Sequence, residues 1–242
     1  MNKKEIIKKC IFLFFIIVIL MGVASVMLRY EVEGEKSLPY NLSKIFVVST
    51  VEGTQNDDGQ NIFNINVKQV NDLYLYIDKQ GSTEETIKQI TLTNFNVSQA
   101  PEKGQLAIYR PTGEIDNLYT YSEQNYLENS LTYTGAAIDD LKALEISNTG
   151  GVIGCRMALD NLGIFVSNET TEVVYDATLL QNIGINLEDI KFNISFDIQI
   201  ETSANVTYQG TINLELPAQD LLEKGSTNFE VTDFSDVVFK RM

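Results

Sequence analysis

The segment IKFNISFDIQI, residues 190–200, alternates apolar and polar side chains from its first residue to its last. Side chains of a β-strand point alternately to the two faces of its sheet, so this period of two predicts a strand with one buried and one wet face. A helix would instead need apolar residues three and four positions apart. The segment therefore decides the fold class in favour of β-structure.

The same pattern recurs along most of the chain. Apolar or alternating runs occupy residues 44–51, 62–70, 73–78, 90–97, 106–109, 152–157, 205–208 and 211–217. Short strands separated by Gly, Asn, Asp and Pro predict an all-β fold, an antiparallel β-sandwich. Helical spacing is confined to residues 136–144, 175–183 and 218–223, which we expect to form short connectors across the ends of the sheets.

An internal similarity suggests two sandwiches instead of one. The segments 45–111 and 151–217 have the same length, and each ends in a strand followed by Pro. Duplication would explain this, and chance similarity between alternating strands would explain it as well. We expect a first β subdomain at 44–112, a hinge or connector at 113–142 and a second β subdomain at 143–242. A single β domain is the alternative.

The N-terminal segment has a different character. Residues 10–28, CIFLFFIIVILMGVASVML, contain no charged residue, and a helix of this length crosses a hydrocarbon core of about 30 Å. We therefore expect residues 10–28 to be a transmembrane helix in contact with membrane lipid. Residues 1–9 carry four lysines and one glutamate, which predicts a cytoplasmic tail by the positive-inside rule.

This topology places a stalk at residues 29–43 and the rest of the chain outside the cytoplasm. The localisation expected is the cell membrane, with a single pass and an extracytoplasmic C-terminal domain. The alternative is a cleaved signal peptide, for which Gly22-Val23-Ala24 offers a small-residue cleavage site.

Composition excludes several classes of function. The 242 residues carry a formal net charge of −15 and include no histidine and no tryptophan. This charge would be repelled by phosphate backbones, so we expect no nucleic-acid partner. Without histidine, a Ser–His–Asp triad, a Cys–His pair and a zinc site of Cys and His ligands cannot form within this polypeptide. Because no phosphate-binding glycine motif occurs either, we expect neither enzyme activity nor a cofactor.

Two features leave other functions open. Carboxylates cluster at residues 139–140, at 188–189 and at Glu230, Asp233 and Asp236, and paired carboxylates can hydrolyse glycosides. Surface charge on an acidic domain explains the same clusters. The turn QNDDGQN, residues 55–61, offers oxygen ligands for calcium, but its Asp-Gly step is also a hairpin signal. We expect the hairpin and no metal site.

The two cysteines are far apart, with Cys10 at the start of the apolar segment and Cys155 in the outer part. No disulfide can therefore form within the outer part, which must depend on an ordinary apolar core. We interpret Cys155 as a small buried residue of the strand at 152–157.

The abundance of Asn and Lys, together with the missing His and Trp, favours a bacterial origin.

Tyrosines concentrate in the expected connector, at Tyr119, Tyr121, Tyr126 and Tyr133. Tyrosine joins apolar area to a polar tip and is enriched at recognition surfaces. We predict these four as candidate binding residues. Cross-strand packing of Tyr119 and Tyr121 is the alternative.

These observations favour a non-enzymatic, membrane-anchored module that takes part in a bacterial cell-envelope assembly. We expect it to bind a protein partner or to form an oligomer. The alternatives are a carbohydrate- or calcium-binding surface domain and a carboxylate-based glycoside hydrolase.

Overall fold

A computed structural model describes residues 3–33, 38–57, 63–82, 84–99, 101–111, 121–135, 144–147, 149–167 and 176–242. Its elements confirm the all-β prediction, with a few short helices and one long N-terminal helix. In chain order they are α1 (Lys3–Glu33), β1 (Tyr40–Asp57), β2 (Phe63–Lys79), β3 (Ile87–Gln99), β4 (Gln105–Tyr109), β5 (Leu131–Gly135), β6 (Leu144–Ile146), β7 (Gly150–Ser167), α2 (Ala177–Asn182), α3 (Leu187–Ile190), β8 (Asn193–Thr202), β9 (Thr207–Glu215), α4 (Gln219–Lys224), β10 (Ser226–Val231) and β11 (Lys240–Arg241).

The strands form two sheets. The first sheet has the order β10-β1-β2-β7-β4, and the second has the order β11-β9-β8-β3-β5-β6. Neighbouring strands are antiparallel, apart from the short parallel pair of β5 with β6. The predicted antiparallel sandwich is therefore confirmed in its layers and in its strand direction.

Strands from the two expected subdomains are interleaved. In the first sheet β2, from residues 44–112, pairs with β7, from residues 143–242, and in the second sheet β3 pairs with β8 in the same way. Each range thus contributes strands to both sheets, and the structure replaces the expected division with one sandwich. Local alternation could not reveal this, because it indicates which side chains turn inward but not which strands are neighbours.

The expected connector at 113–142 is described only at residues 121–135. These residues include β5, which pairs with β3 inside the second sheet. The expected stalk at 29–43 is helical up to Glu33 and belongs to β1 from Tyr40 onwards. The helix predicted at 136–144 lies outside the described residues except for Leu144, which begins β6.

The apolar N-terminal segment forms part of α1, as predicted. Residues Ile11–Leu28 are long and apolar enough to span a membrane, and none of them is buried against the rest of the protein. The side chain of Phe12, for example, is 68% exposed. An apolar surface of this kind is unfavourable in water and favourable in lipid.

One main core lies between the two sheets. It contains Leu73 and Leu75 of β2 from the first sheet and Phe196 and Ile198 of β8 from the second. The alternation of 190–200 is visible here, because Ile194, Phe196, Ile198 and Ile200 are all buried while the residues between them are partly exposed. The strand itself begins at Asn193, since Ile190 belongs to α3.

A second, smaller core lies at one end of the sandwich. There Ile65 and Val67 of β2 pack with Leu179 of α2 and Leu221 of α4. Asp176 caps α2 by accepting a hydrogen bond from the backbone N–H of Thr178, and Gly225 ends α4 in the left-handed conformation, with φ of 76°. The predicted role of the two helices as connectors over a sheet end is confirmed.

Two predicted strands, 62–70 and 73–78, form the single strand β2. Asn71 and Asp72 between them usually favour turns, but here their side chains have partners in neighbouring strands. Asn71 accepts a hydrogen bond from Ser49 Oγ at 2.6 Å and donates one to the carbonyl oxygen of Met157 at 3.2 Å. Asp72 forms an ion pair with Arg156. These partners stabilise both residues in the strand conformation, so no turn forms between the two predicted strands.

The pairing of β1 with β2 runs from Tyr40 opposite Lys79 to Asp57 opposite Phe63. The hairpin predicted at 55–61 is therefore confirmed, although its turn lies outside the described residues.

Cys155 is fully buried, and burial raises the pKa of its thiol to about 12. The thiol is thus a packed, protonated group, as its interpretation as a core residue requires.

Replacement of a core aromatic residue should test the sandwich directly. Phe196 is 1% exposed and packs with Phe95 at a ring distance of 5.6 Å. Phe196→Ala should lower the free energy of unfolding by about 3–5 kcal/mol, because it leaves a cavity between the sheets. Val166→Ala, at a residue 54% exposed in the first sheet, is the control and should change it by less than about 0.5 kcal/mol. Urea unfolding followed by circular dichroism measures both, and equal effects would contradict this core.

Candidate functional site

The candidate tyrosines that the structure describes, Tyr121, Tyr126 and Tyr133, do not form one surface. Tyr119 lies outside the described residues. Tyr133 is 2% exposed in β5, and its hydroxyl donates a hydrogen bond to the carbonyl oxygen of Gly154 in the other sheet, at 2.7 Å. Tyr133 thus ties the two sheets together from inside, where no partner protein can reach it in this conformation.

Tyr126 is half-buried beside β4 of the first sheet. Its backbone N–H donates to the carbonyl oxygen of Ile108 at 2.7 Å, and its ring lies 5.9 Å from the guanidinium of Arg110. It also packs against the main core. A binding role for Tyr126 stays a prediction, since packing already accounts for its position.

Tyr121 lies over a charged cluster on the side of the first sheet that turns away from the second sheet, and we call this cluster of Glu52, Asp72 and Arg156 the Arg156 cluster. It forms a β-bridge with Pro111, and the Arg156 guanidinium lies 4.2 Å from the centre of its ring. Burial and the neighbouring carboxylate of Asp72 raise the pKa of Tyr121 well above its ordinary value. The phenol is therefore neutral at any physiological pH and stacks on a cation.

Arg156 is the centre of this cluster. Its Nε and Nη2 donate to the two carboxylate oxygens of Asp72 at 2.7 and 2.8 Å, the paired geometry that suits guanidinium and carboxylate. Glu52 lies 3.3 Å away on the other side and also pairs with Lys68 at 3.4 Å. Burial lowers the pKa of Arg156, but the hydrogen bonds of Asp72 and the charges of Asp72 and Glu52 outweigh burial and raise it.

Half-buried aromatic residues continue along this side of the first sheet toward β1. The rings of Phe46 and Tyr74 lie 6.5 Å apart, and the ammonium of Lys44 lies 4.3 Å from the ring centre of Tyr76. These residues alternate with core residues along β1 and β2, so they turn away from the second sheet. We call the following residues the outer face: Lys44, Phe46, Asp72, Tyr74, Tyr76 and Arg156.

A polar cleft lies beside the cluster. It has a volume of about 580 Å³ and lies across β2, β7 and β4. Tyr109 is one of its walls, and its hydroxyl donates to Asp160 at 2.5 Å. Burial and this hydrogen bond raise the pKa of Tyr109 to about 12. The cleft is lined by Thr54, Asn66, Lys68, Gln105, Leu106, Ala107, Tyr109, Asn125, Asp160 and Asn161.

Two of the carboxylates singled out in the sequence, Asp189 and Asp233, accept local hydrogen bonds. Asp189 accepts a hydrogen bond from the backbone N–H of Asn186 and one from Lys103, and these bonds lower its pKa. Asp233 accepts one from the backbone N–H of Ser235. Residues 139–140 lie outside the described residues. Within the described part of the chain, no group of three or more His, Cys, Asp or Glu could hold a metal ion.

Sequence reasoning missed the Arg156 cluster, because Arg156 in β7 is far along the chain from Glu52 and Asp72, which belong to the β1–β2 hairpin. One signal was present, since Asp72 and Arg156 are charged residues within otherwise strand-like sequence. Such residues are costly in a sheet unless they are paired. A search for charges inside predicted strands would have found Arg156, whereas Asp72 stood between two predicted strands that form the single strand β2.

Comparisons with protein-family models, with curated proteins and with solved structures give no match to this chain. The site must therefore be interpreted from its own chemistry.

The ion pair of Asp72 with Arg156 offers a test of the cluster. The side chain of Asp72 is 11% exposed and that of Arg156 is 12% exposed. Asp72→Asn would therefore leave the charge of Arg156 poorly compensated in a site that is largely shielded from water. We expect a loss of about 3 kcal/mol in the free energy of unfolding. The control is Asp220→Asn, whose Lys224 partner is 60% exposed and whose loss should cost less than about 0.5 kcal/mol.

Urea unfolding of both variants at low and high salt makes the comparison sharper. The effect of Asp72→Asn should persist in high salt, because a partly buried pair is weakly screened. A loss equal to that of Asp220→Asn would show that the cluster contributes nothing beyond an ordinary surface ion pair.

Proposed function

We propose that this protein is a single-pass, membrane-anchored β-sandwich module with no enzymatic activity. Its C-terminal domain stands outside the cytoplasm and binds a protein partner in a bacterial cell-envelope assembly. The outer face, residues Lys44, Phe46, Asp72, Tyr74, Tyr76 and Arg156, is the surface that we assign to this contact.

The observation that carries the anchor is the exposure of Ile11–Leu28. No residue of this apolar span is buried by the protein, while the sandwich has an apolar core of its own. A core helix of a water-soluble domain would bury one side of such a segment. The four lysines and one glutamate of residues 1–9 support a cytoplasmic N-terminus.

Two features support a protein partner at the outer face. It combines Tyr and Phe rings with an arginine, and these residue types dominate the energetics of protein interfaces. The ion pair of Arg156 with Asp72 also fixes β2 and β7 beneath the aromatic rings, so little conformational entropy would be lost when a partner covers these rings. The acidic charge of the whole chain disfavours nucleic acid as that partner.

The anchor is tested by fractionation of bacterial cells that produce the full-length chain. We expect the protein in the membrane pellet after alkaline extraction, at the intact mass of residues 1–242. Protease added outside the cytoplasmic membrane should digest the C-terminal domain. A soluble product that lacks residues 1–24 would show that the apolar helix is a signal sequence and would contradict the anchor.

The partner surface is tested by photocrosslinking in the same membranes. A benzophenone amino acid at position 46 or 76 should give a crosslinked species of higher mass, which mass spectrometry then identifies. Position 211 is the control, since Thr211 is exposed in β9 of the second sheet. Crosslinks from position 211 alone, or from none of the three, would rule out a contact through the outer face.

A further inference from the structure

We infer that the polar cleft across β2, β7 and β4 is a binding site for a neutral oligosaccharide. This goes beyond the proposed protein contact, because it concerns a different part of the first sheet and a different class of ligand. The argument comes from how the cleft is built, which groups line it and which charges it holds.

An irregularity in strand pairing creates the cleft. Opposite Val67 and Gln69 of β2, the partners in β7 jump from Gly163 to Leu159. The extra residues include Asn161, which has a left-handed backbone with φ of 58°. Irregularities of this type bend a sheet and redirect side chains, and they recur next to functional sites.

Hydrogen bonds hold several of the lining side chains in place. Asn66 Nδ2 donates to Asn161 Oδ1 at 2.7 Å, and Tyr109 donates to Asp160. Asn125 Oδ1 accepts the backbone N–H groups of Ile108 and Leu127, each at 2.9 Å, so its amide nitrogen is the donor that a ligand could use. The cleft walls are thus preorganised before any ligand arrives.

The lining suits a ligand with many hydroxyl groups. Amide side chains of Asn66, Gln105 and Asn161 each combine a donor with an acceptor, and sugar hydroxyls do the same. The volume of about 580 Å³ falls within the range of about 300–1,000 Å³ that is typical of ligand cavities. An oligosaccharide of a few rings would match both the size and the chemistry.

The charges argue against other ligands. Lys68 and Asp160 give the lining one charge of each sign, and Lys68 already pairs with Glu52. A phosphate or carboxylate ligand would find no uncompensated cation among the lining residues. A calcium ion needs six to eight oxygen ligands, and the lining supplies one carboxylate that is already bound by Tyr109. A peptide with apolar side chains would find only Leu106 and Ala107.

Binding is tested with the full-length chain in lipid nanodiscs, which avoids sugar-based detergents. The probe is an oligosaccharide microarray that includes chito-, cello-, malto-, manno- and xylo-oligomers together with anionic glycans. We expect retention on one or more neutral oligomers and no preference for the anionic ones. The best neutral oligomer is then titrated by calorimetry, and a chelator should leave its affinity unchanged.

Two substitutions locate the sugar. Gln105→Ala changes an exposed side chain, and Asn66→Ala removes the hydrogen bond to Asn161. Each should weaken binding about five-fold, as expected for the loss of one hydrogen bond. The matched control is Asn228→Ala, an exposed amide in β10 at the other edge of the first sheet, which should leave the affinity unchanged. Absence of binding to every oligomer would overturn the proposal. It would also be overturned if Gln105→Ala and Asn66→Ala bound the sugar with the same affinity as Asn228→Ala and the unsubstituted chain.

Discussion

The pairing of β2 with β7 is the interaction on which the rest of the fold depends. It runs from Phe63 opposite Ser167 to Asp78 opposite Gly150 and joins segments from the two halves of the chain. β1 attaches to the first sheet through β2, and β4 attaches through β7. The main core beneath is made of residues from both halves, so neither half can bury its apolar face alone. Pairing between segments so far apart in the chain forms slowly, because the entropy of loop closure is lost before the stabilising contacts are made.

Polar side chains reinforce this pairing on both faces of the first sheet. On the inner face, Ser49 donates to Asn71, which in turn donates to the backbone of β7. On the outer face, Asp72 binds Arg156 of β7 directly. Hydrogen bonds with fixed geometry specify register more strictly than apolar contacts do, since a shift of one residue would leave buried polar groups unpaired. The same groups make the outer face rigid, which is why we assign the protein contact to it.

Local patterns predicted β1–β4, β7–β9, α2, α4 and the apolar N-terminal helix, because each of these depends on residues close together in the sequence. Gly225 at the end of α4 and the burial of Cys155 were accessible for the same reason. The elements β5, β6, β10, β11 and α3 were not predicted, because such short runs carry little periodic signal. Strand neighbours other than the β1–β2 hairpin, the interleaving of the two halves and the Arg156 cluster were not predicted, because they depend on contacts between distant residues. Tyr133 shows the limit most clearly, since composition suggested a recognition surface and the chain topology placed it between the sheets. The polar cleft depends on an irregular pairing that leaves no periodic mark in the sequence.

The central claim is that the chain beyond the N-terminal helix folds as one interleaved unit. Differential scanning calorimetry of a chain that lacks residues 1–33 tests it most directly, with fragments 38–112 and 143–242 measured beside it. We predict a single transition whose calorimetric and van't Hoff enthalpies agree, and no transition in either fragment. Two separate transitions, or a fragment that melts cooperatively by itself, would contradict the claim.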